Sequence, residues 1–410
     1  MNIGIVTIWF PAGAGYVSKA YLEILERSHT VYIYARTGKI MKGDSSWDLP
    51  NVTWAPKHYL TTGIWEAHFL RWIRKNKIEV ILFNEQKYWR PVIIAKSAGV
   101  LVGAYVDYYT QMTVPLFDLY DFLFCNTKRH FSVFNKHKNC YYIPWGVDLN
   151  KFRPATDQKD RPVTFLVSSG WETLDGLDRR GSLLALTAFR KVSGSCKMII
   201  YSQIESKQQQ SVWIREYEND ERIEFRFGTF DPFPFSEGDV YLYPSRLDGI
   251  GLSLPEALAS GLPAITTNSP PMNEFVEHNV NGFIVDVEKY LVRFDGYYWA
   301  QSICSIPSLT KSMQKYVDCP DLIKTHSLNA RNYACQKLSW SGNANQMDDY
   351  IASSLLNSVS LDKKLVKKAR SVDHIISPTI QYRILKLLYD IMIILKEKIL
   401  FFIFGTFVTH

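Results

Sequence analysis

Short apolar runs alternate with stretches of helical spacing along most of this chain. Residues 1–10 are apolar and break at once into Pro11-Ala12-Gly13-Ala14-Gly15. Residues 16–25 then place apolar side chains at helical intervals, and residues 29–35 form a second apolar run. Strand, glycine loop, helix and strand predict the opening of a doubly wound α/β domain. Residues 79–83 and 100–105 have the density of buried parallel strands, and 122–126 reads as the last strand of this half. Two of these runs end in polar residues, Asn84-Glu85 and Asp107, and ligands in such sheets gather at the carboxyl ends of strands. His130, at the start of the helix expected after Asn126, reads as structural. The pattern restarts with apolar runs at 240–244 and 262–267.

Length explains the restart. A chain of 410 residues exceeds one ordinary core and predicts two domains of roughly 150–200 residues with additions. Apolar content of 47% with 14% aromatics fits packed globular domains and excludes disorder. The six cysteines, at 125, 140, 196, 304, 319 and 335, form no C-x-x-C and no His pairing at metal spacing. They read as buried thiols in a reducing compartment, with no zinc site. Residues 1–10 lack a basic leader and a cleavage site, so a first strand is expected there and not a signal peptide.

The most specific chemistry lies in Tyr243-Pro-Ser245-Arg-Leu-Asp248-Gly249-Ile250-Gly251-Leu252-Ser253-Leu-Pro255-Glu256. An apolar strand gives way here to a helix expected to begin near Ser253, with Ser253 as its N-cap and Pro255 in its first turn. Gly249 and Gly251 let the backbone amides of 249–253 approach a diphosphate, whose charge the helix N-terminus favours. Glu256 is placed to meet a pair of ribose hydroxyls, which leaves Asp248 for the sugar. Taken alone the string also fits a plain strand-to-helix turn. Its flanks carry the argument: the run at 262–267, then Glu274-Phe-Val-Glu-His-Asn-Val-Asn-Gly282-Phe-Ile-Val.

The whole block resembles the retaining glycosyltransferases of family 4, which have a GT-B fold. The resemblance implies two Rossmann-like domains facing across a cleft. Asp248 and Glu256 match the family's acidic pair, although Glu is usual at the first position, and Glu274 matches its loop Glu. Pro270-Pro271 stand where Gly-Gly is common, and Pro271 has no N–H to offer. Tyr142-Ile-Pro-Trp-Gly-Val-Asp148, followed by Phe152-Arg-Pro, is similar to the interdomain linker. Arg179-Arg180-Gly181 matches a Lys-Gly helix start, so the resemblance gives Arg180 the diphosphate, with the bidentate fork of arginine. Trp171 replaces a second basic residue, and Arg179 is the candidate substitute. In such enzymes the Gly13–Gly15 loop faces the cleft and helps hold acceptor or donor phosphates. The family's cleft histidine is missing near Asn84-Glu85, so Glu85 is the candidate for a polar role there.

The implied organisation is a first domain over 1–143, a linker over 144–155, a nucleotide-sugar domain over 156–337, a helix crossing back over 338–357, and an extension over 358–410. The implied catalytic set is Arg180, Asp248 and Glu85. The donor set is Gly13, Gly15, Arg179, Arg180, Ser245, Asp248, Gly249, Ile250, Gly251, Leu252, Ser253, Glu256 and Glu274. The donor is expected to be a UDP- or GDP-sugar, held by protein cations and dipoles without a metal.

The extension begins with a basic run at 363–370 and continues through 381–404, where Arg383, Lys386, Asp390, Glu397 and Lys398 share one helical face and Lys396 departs from it. Its longest uncharged stretch falls far short of the roughly 20 residues of a spanning helix. A helix lying on an anionic membrane is expected, with 363–404 as the contact. The net charge of +7 agrees with an anionic partner. Nucleic acid is excluded, since the basic clusters at 71–77 and 363–370 belong to no nucleic-acid module and the first reads as a helix end. The reading is a retaining transferase at the cytoplasmic face of a membrane, moving sugar to a glycan or lipid-linked acceptor in surface polysaccharide assembly such as O-antigen or capsule. Its rivals are a sugar-nucleotide epimerase or hydrolase of the same fold and a catalytically silent scaffold. Oligomeric state is left open.

Overall fold

The computed structural model describes residues 1–58, 60, 62–155, 161–170, 178–203, 217, 219–293, 295–358 and 360–376. Trp171 and the amphipathic segment 381–404 lie outside them. The first sheet is parallel throughout, in the order β3-β2-β1-β4-β5-β6-β7. Its strands are β1 (Asn2–Thr7), β2 (Thr30–Ala35), β3 (Val52–Trp54), β4 (Val80–Asn84), β5 (Leu101–Tyr105), β6 (Phe122–Cys125) and β7 (Cys140–Tyr142). Helices α1 (Gly13–Leu25), α2 (Glu66–Lys75), α3 (Arg90–Ser97) and α4 (Lys128–Phe134) cover it. Every residue of β4, β5 and β6 is buried, as an apolar strand between two helical layers requires. The short strands β3 and β7 carry little apolar signal of their own and were not expected.

The second sheet has the order β10-β9-β8-β11-β12-β13, again parallel. It comprises β8 (Val163–Gly170), β9 (Cys196–Ser202), β10 (Ile223–Phe227), β11 (Val240–Tyr243), β12 (Ala264–Thr267) and β13 (Gly282–Val285). Around it lie α5 (Ser182–Phe189), α6 (Ser253–Ala259), α7 (Ile306–Asp318) and α8 (Asp321–Lys337). An antiparallel pair, β14 (Val287–Leu291) and β15 (Gln301–Cys304), forms an arm that the sequence did not announce.

The arm reaches the first domain. The backbone N–H of Tyr298 donates to the Tyr109 carbonyl at 2.9 Å, and the Tyr297 hydroxyl donates to the Asp107 carbonyl at 3.0 Å. Tyr297 also stacks on Tyr108 with ring centroids 5.2 Å apart.

After α8 the chain returns through α9 (Trp340–Asn343) and α10 (Met347–Leu356). Trp340 packs edge-on against Tyr21 of α1, beside Trp145, and its indole N–H donates to the Ala20 carbonyl at 2.8 Å. Tyr350 stacks on Tyr141 of β7 at 4.2 Å. The basic run becomes α11 (Lys363–Ile376), which buries Ala369 and Val372 against the first domain and turns Lys363, Lys364, Lys367, Lys368 and Arg370 outward. Asp373 fixes it there by accepting the backbone N–H groups of Trp89 and Arg90, at 2.8 and 2.9 Å, where α3 begins. Among the described residues no helix is long and apolar enough to cross a membrane.

Two expectations need correction. Cys319 and Cys335 are exposed, at the junction of α7 with α8 and on the outer face of α8. Ser253 does not cap α6. Leu252 flanks the helix, Ser253 is its first residue, and the Ser253 hydroxyl accepts from Tyr241 at 2.8 Å. The buried phenol of Tyr241 needs a partner more than the helix end does, because that end opens into the cleft.

Candidate active site

The carboxyl ends of both sheets face one cleft, and the glycine loop between β11 and α6 forms its second-domain wall. Gly251 holds φ +86°, a conformation that suits glycine, and starts α6 tightly against Tyr243. Among the described residues, none of the backbone N–H groups of Gly249, Ile250, Gly251, Leu252 and Ser253 has a protein acceptor. Five successive donors at a helix start form a concavity suited to an anion.

Beside it stand two cations. Arg180 Nη1 donates to Asp248 Oδ2 at 3.0 Å and to the Tyr243 hydroxyl, and its Nε is buried without a partner among the described residues. Arg179 Nη1 donates to Asp248 Oδ1 at 2.8 Å. Tyr243 and Ser245 hydroxyls donate to Asp248 Oδ2 at 2.5 and 3.1 Å. Burial alone would raise the Asp248 carboxyl, but Arg180 and Arg179 hold it well below the usual carboxylate range. Both of its oxygens are therefore committed to orienting the two arginines. The pair sits just before α5, whose N-terminal amides are taken by Asp178, with Ser182 N at 2.8 Å and Leu183 N at 2.6 Å. That carboxylate offsets the repulsion two cations would feel at a helix start.

Glu256, in the first turn of α6, is pushed up to about 8 by burial, with Asp231 adding to the rise and Lys151 and Arg180 opposing it. Asp231 is itself held by Lys151 Nζ at 2.7 Å and by the Tyr16 hydroxyl at 3.2 Å. Burial thus favours the uncharged form of this carboxyl at this end of the cleft.

On the opposite wall, Asn84 Nδ2 donates to the Ala14 carbonyl at 2.8 Å, which seats the Gly13–Gly15 loop beside the end of β4. A Cβ at Gly15 would run into the Phe10 carbonyl oxygen, whereas Gly13 faces open space. Glu85 holds φ +49°, uncommon for a side-chain-bearing residue, and Arg36 donates to its carbonyl at 3.0 Å and to that of Asn84 at 2.8 Å. Its carboxyl meets that of Asp107, which burial and Glu85 raise to about 7. Asp107 in turn lies so close to Gly249 that a Cβ there would strike Asp107 Oδ1. The structure thus brings Glu85 to the glycine loop through Asp107.

Glu274 is placed differently from the donor role implied for it. Its carboxylate accepts the backbone N–H groups of Lys128 at 2.6 Å and Arg129 at 2.9 Å, capping α4 of the first domain. Arg129 donates back to the Pro270 carbonyl at 2.9 Å and to the Asp248 carbonyl. His130 Nε2 lies 3.2 Å from the Gly249 carbonyl oxygen. The start of α4 therefore grips the glycine loop from across the cleft. Only the seam between domains shows this, and no string of residues could have.

Residues 177–291 match the family model of the glycosyl transferases group 1. That match lies within the second domain, and the two domains together have the GT-B fold of solved glycosyltransferases. Over 198 residues the chain is 26% identical to a GDP-mannose-dependent α-(1-6)-phosphatidylinositol monomannoside mannosyltransferase of Mycobacterium tuberculosis, covering 41% of this chain and 49% of that protein. The chain thus spans about half the length of that curated relative. Solved structures agree in fold along most of the chain. A glycosyltransferase from Rickettsia africae superposes with TM-score 0.68 at 14% identity over 87% of this chain and 99% of that one. Anabaena HepE in complex with UDP-glucose gives 0.66 at 14% identity over 86% and 100%. WaaG, a glycosyltransferase involved in lipopolysaccharide biosynthesis, gives 0.61 at 15% identity over 85% and 99%. The group 1 match contains Arg179, Arg180, the Asp248–Ser253 loop, Glu256 and Glu274, whereas Glu85, Asp107, Arg129 and His130 belong to the other domain.

Proposed function

We propose that this protein transfers a sugar, with retention of anomeric configuration, from a UDP- or GDP-sugar to a glycan or lipid-linked acceptor. The observation that carries the reading is the row of amides from Gly249 to Ser253, unpaired among the described residues, on the loop whose Asp248 holds Arg180, itself with a buried Nε that lacks a partner among them. A diphosphate supplies acceptors for all of these, and the same donors stabilise charge that develops on it as the glycosidic bond breaks. Glu256 then receives the ribose hydroxyls and becomes charged as they donate to it. The Glu85–Asp107 pair, at the floor on the other side, is positioned for the sugar or the incoming hydroxyl. Protein cations and amides meet the diphosphate charge, so the reading assigns no role to a metal.

The outward lysines of α11 support a working position against an anionic membrane on its cytoplasmic side, and polysaccharide assembly at the cell surface is the setting in which such a transferase would act. The deciding experiment is thermal stabilisation of the full chain by UDP, GDP and ADP in EDTA, beside Glu256→Ala. A ligand at 100 times its Kd adds about 2.7 kcal/mol. Stabilisation by one nucleotide, lost in the variant, supports the donor site. No shift with any nucleotide at millimolar concentration favours the silent scaffold.

A further inference from the structure

The arm and the start of α4 are joined by one line of hydrogen bonds. Trp299 Nε1 lies 2.6 Å from the Tyr109 hydroxyl, which lies 2.9 Å from His130 Nδ1, and His130 Nε2 lies 3.2 Å from the Gly249 carbonyl oxygen. The chemistry of the ends fixes every proton between them. An indole N–H can only donate, so the Tyr109 oxygen accepts from it and its hydroxyl donates to His130 Nδ1. A carbonyl oxygen can only accept, so His130 carries its hydrogen on Nε2. The imidazole has no exposed surface, and burial with Arg129 alongside keeps it neutral. Only one tautomer satisfies both neighbours.

We propose that Trp299, Tyr109 and His130 are positioning residues that set the donor loop, with Arg129 as a second grip. The physical reason lies in the peptide bond. A trans peptide is planar, with its carbonyl and its N–H pointing in opposite directions. Holding the Asp248 carbonyl with Arg129 turns the Gly249 N–H away from α4. Holding the Gly249 carbonyl with His130 does the same for the Ile250 N–H. Two of the unpaired amides of the anion cradle are thus aimed from the other domain. The line also closes on itself: the second domain extends Trp299 to the first, which returns the contact to the second at Gly249. A donor loop held this way is complete only when the domains are closed and the arm is docked. The inference rests on the donor reading for its consequence and on geometry alone for the coupling.

Trp299→Phe removes the indole donor and keeps a ring. Tyr109→Phe removes the hydroxyl, and His130→Leu removes both ring nitrogens. His130→Gln keeps one donor and one acceptor. Two readouts are taken on the full chain: hydrogen exchange, without ligand, of the Leu254 and Glu256 amides, which donate to the loop carbonyls of Gly251 and Leu252, and affinity for the nucleotide that stabilises the wild type. Faster exchange at Leu254 and Glu256 is expected in Trp299→Phe, Tyr109→Phe and His130→Leu. Nucleotide affinity should fall about fivefold in Trp299→Phe, the weight of one neutral hydrogen bond, and further in His130→Leu, with partial recovery in His130→Gln. With any transferase activity, KM for the donor should rise more than kcat falls.

Equal exchange and equal affinity across Trp299→Phe and Tyr109→Phe would overturn the assignment, as would a loss spread evenly over the whole first domain. If exchange at Leu254 and Glu256 responds while no nucleotide binds the wild type, the coupling stands and the donor reading falls.

Discussion

Replacing Glu256 by Gln should make the empty protein more stable while weakening its hold on nucleotide. The carboxyl is raised from its ordinary 4.5 to about 8, chiefly by burial. A folded state that binds a proton more tightly than the unfolded chain is favoured at low pH. The contribution is fully present below 4.5 and is lost as pH rises through 8. At 1.36 kcal/mol per pH unit, the ceiling on that loss is about 4.8 kcal/mol above pH 8, against about 1 kcal/mol at pH 5. Glu256 keeps some contact with water at the cleft rim, so roughly 2 kcal/mol is the expected gain for Gln at pH 9, or about 4–8 °C in Tm. The assay is thermal unfolding of both proteins from pH 5 to pH 9, repeated with the nucleotide that stabilises the wild type. The gap should open with rising pH, and nucleotide should stabilise Glu256→Gln less at every pH. A gap that is constant with pH, or a Gln variant less stable at pH 9, would refute the reasoning.

Gly249→Ala should leave the Tm within a few degrees but cut nucleotide affinity at least tenfold, because the new methyl meets Asp107 and separates the walls of the cleft; titration calorimetry reads this. Arg180→Lys should keep part of the diphosphate affinity, and Arg180→Ala should lose at least tenfold and also destabilise the fold, since Asp248 then lacks one of its two cations, a cost of a few kcal/mol for a buried ion left short of partners. Asp373→Ala should leave two amides at the start of α3 uncapped, cost about 1–2 kcal/mol, and loosen α11, read as faster hydrogen exchange at 363–376. Charge reversal at Lys364, Lys367 and Lys368 should abolish binding of the full chain to anionic vesicles without changing its Tm; unchanged binding would refute the membrane position.

The strands that build the two sheets were legible where both faces are buried, because such runs are nearly pure hydrocarbon. β4, β5, β11 and β12 are of this kind. β3 and β7 lie at sheet edges with partly buried side chains, so composition hardly marks them. The donor loop was legible for a different reason: its glycines, its acidic residue and its helix start are contiguous. The opposite wall was only half visible. Glu85 could be suspected from its place after a strand, but its pairing with Asp107 depends on two strands lying side by side. Glu274 was read as a ligand residue from resemblance, and in the fold it caps a helix of the other domain. Pro270 likewise contributes a carbonyl to Arg129 and not an amide to a ligand. The arm was missed because its exposed strand has none of the apolar density that marked the others, and its purpose is visible only where it lands.

The crossing of Trp340 onto α1 has a consequence for how the protein is made. The surface of the first domain around Tyr21 and Tyr141 is finished by residues that leave the ribosome roughly 200 positions later, an interval on the order of ten seconds or more at about 5–20 residues per second. During that interval a nearly complete domain shows bare rings to solvent. A fragment cut at the linker would keep that face uncovered for good. Splitting this protein into halves should therefore yield a soluble second half and a first half that clumps, unless residues 338–376 are supplied with it.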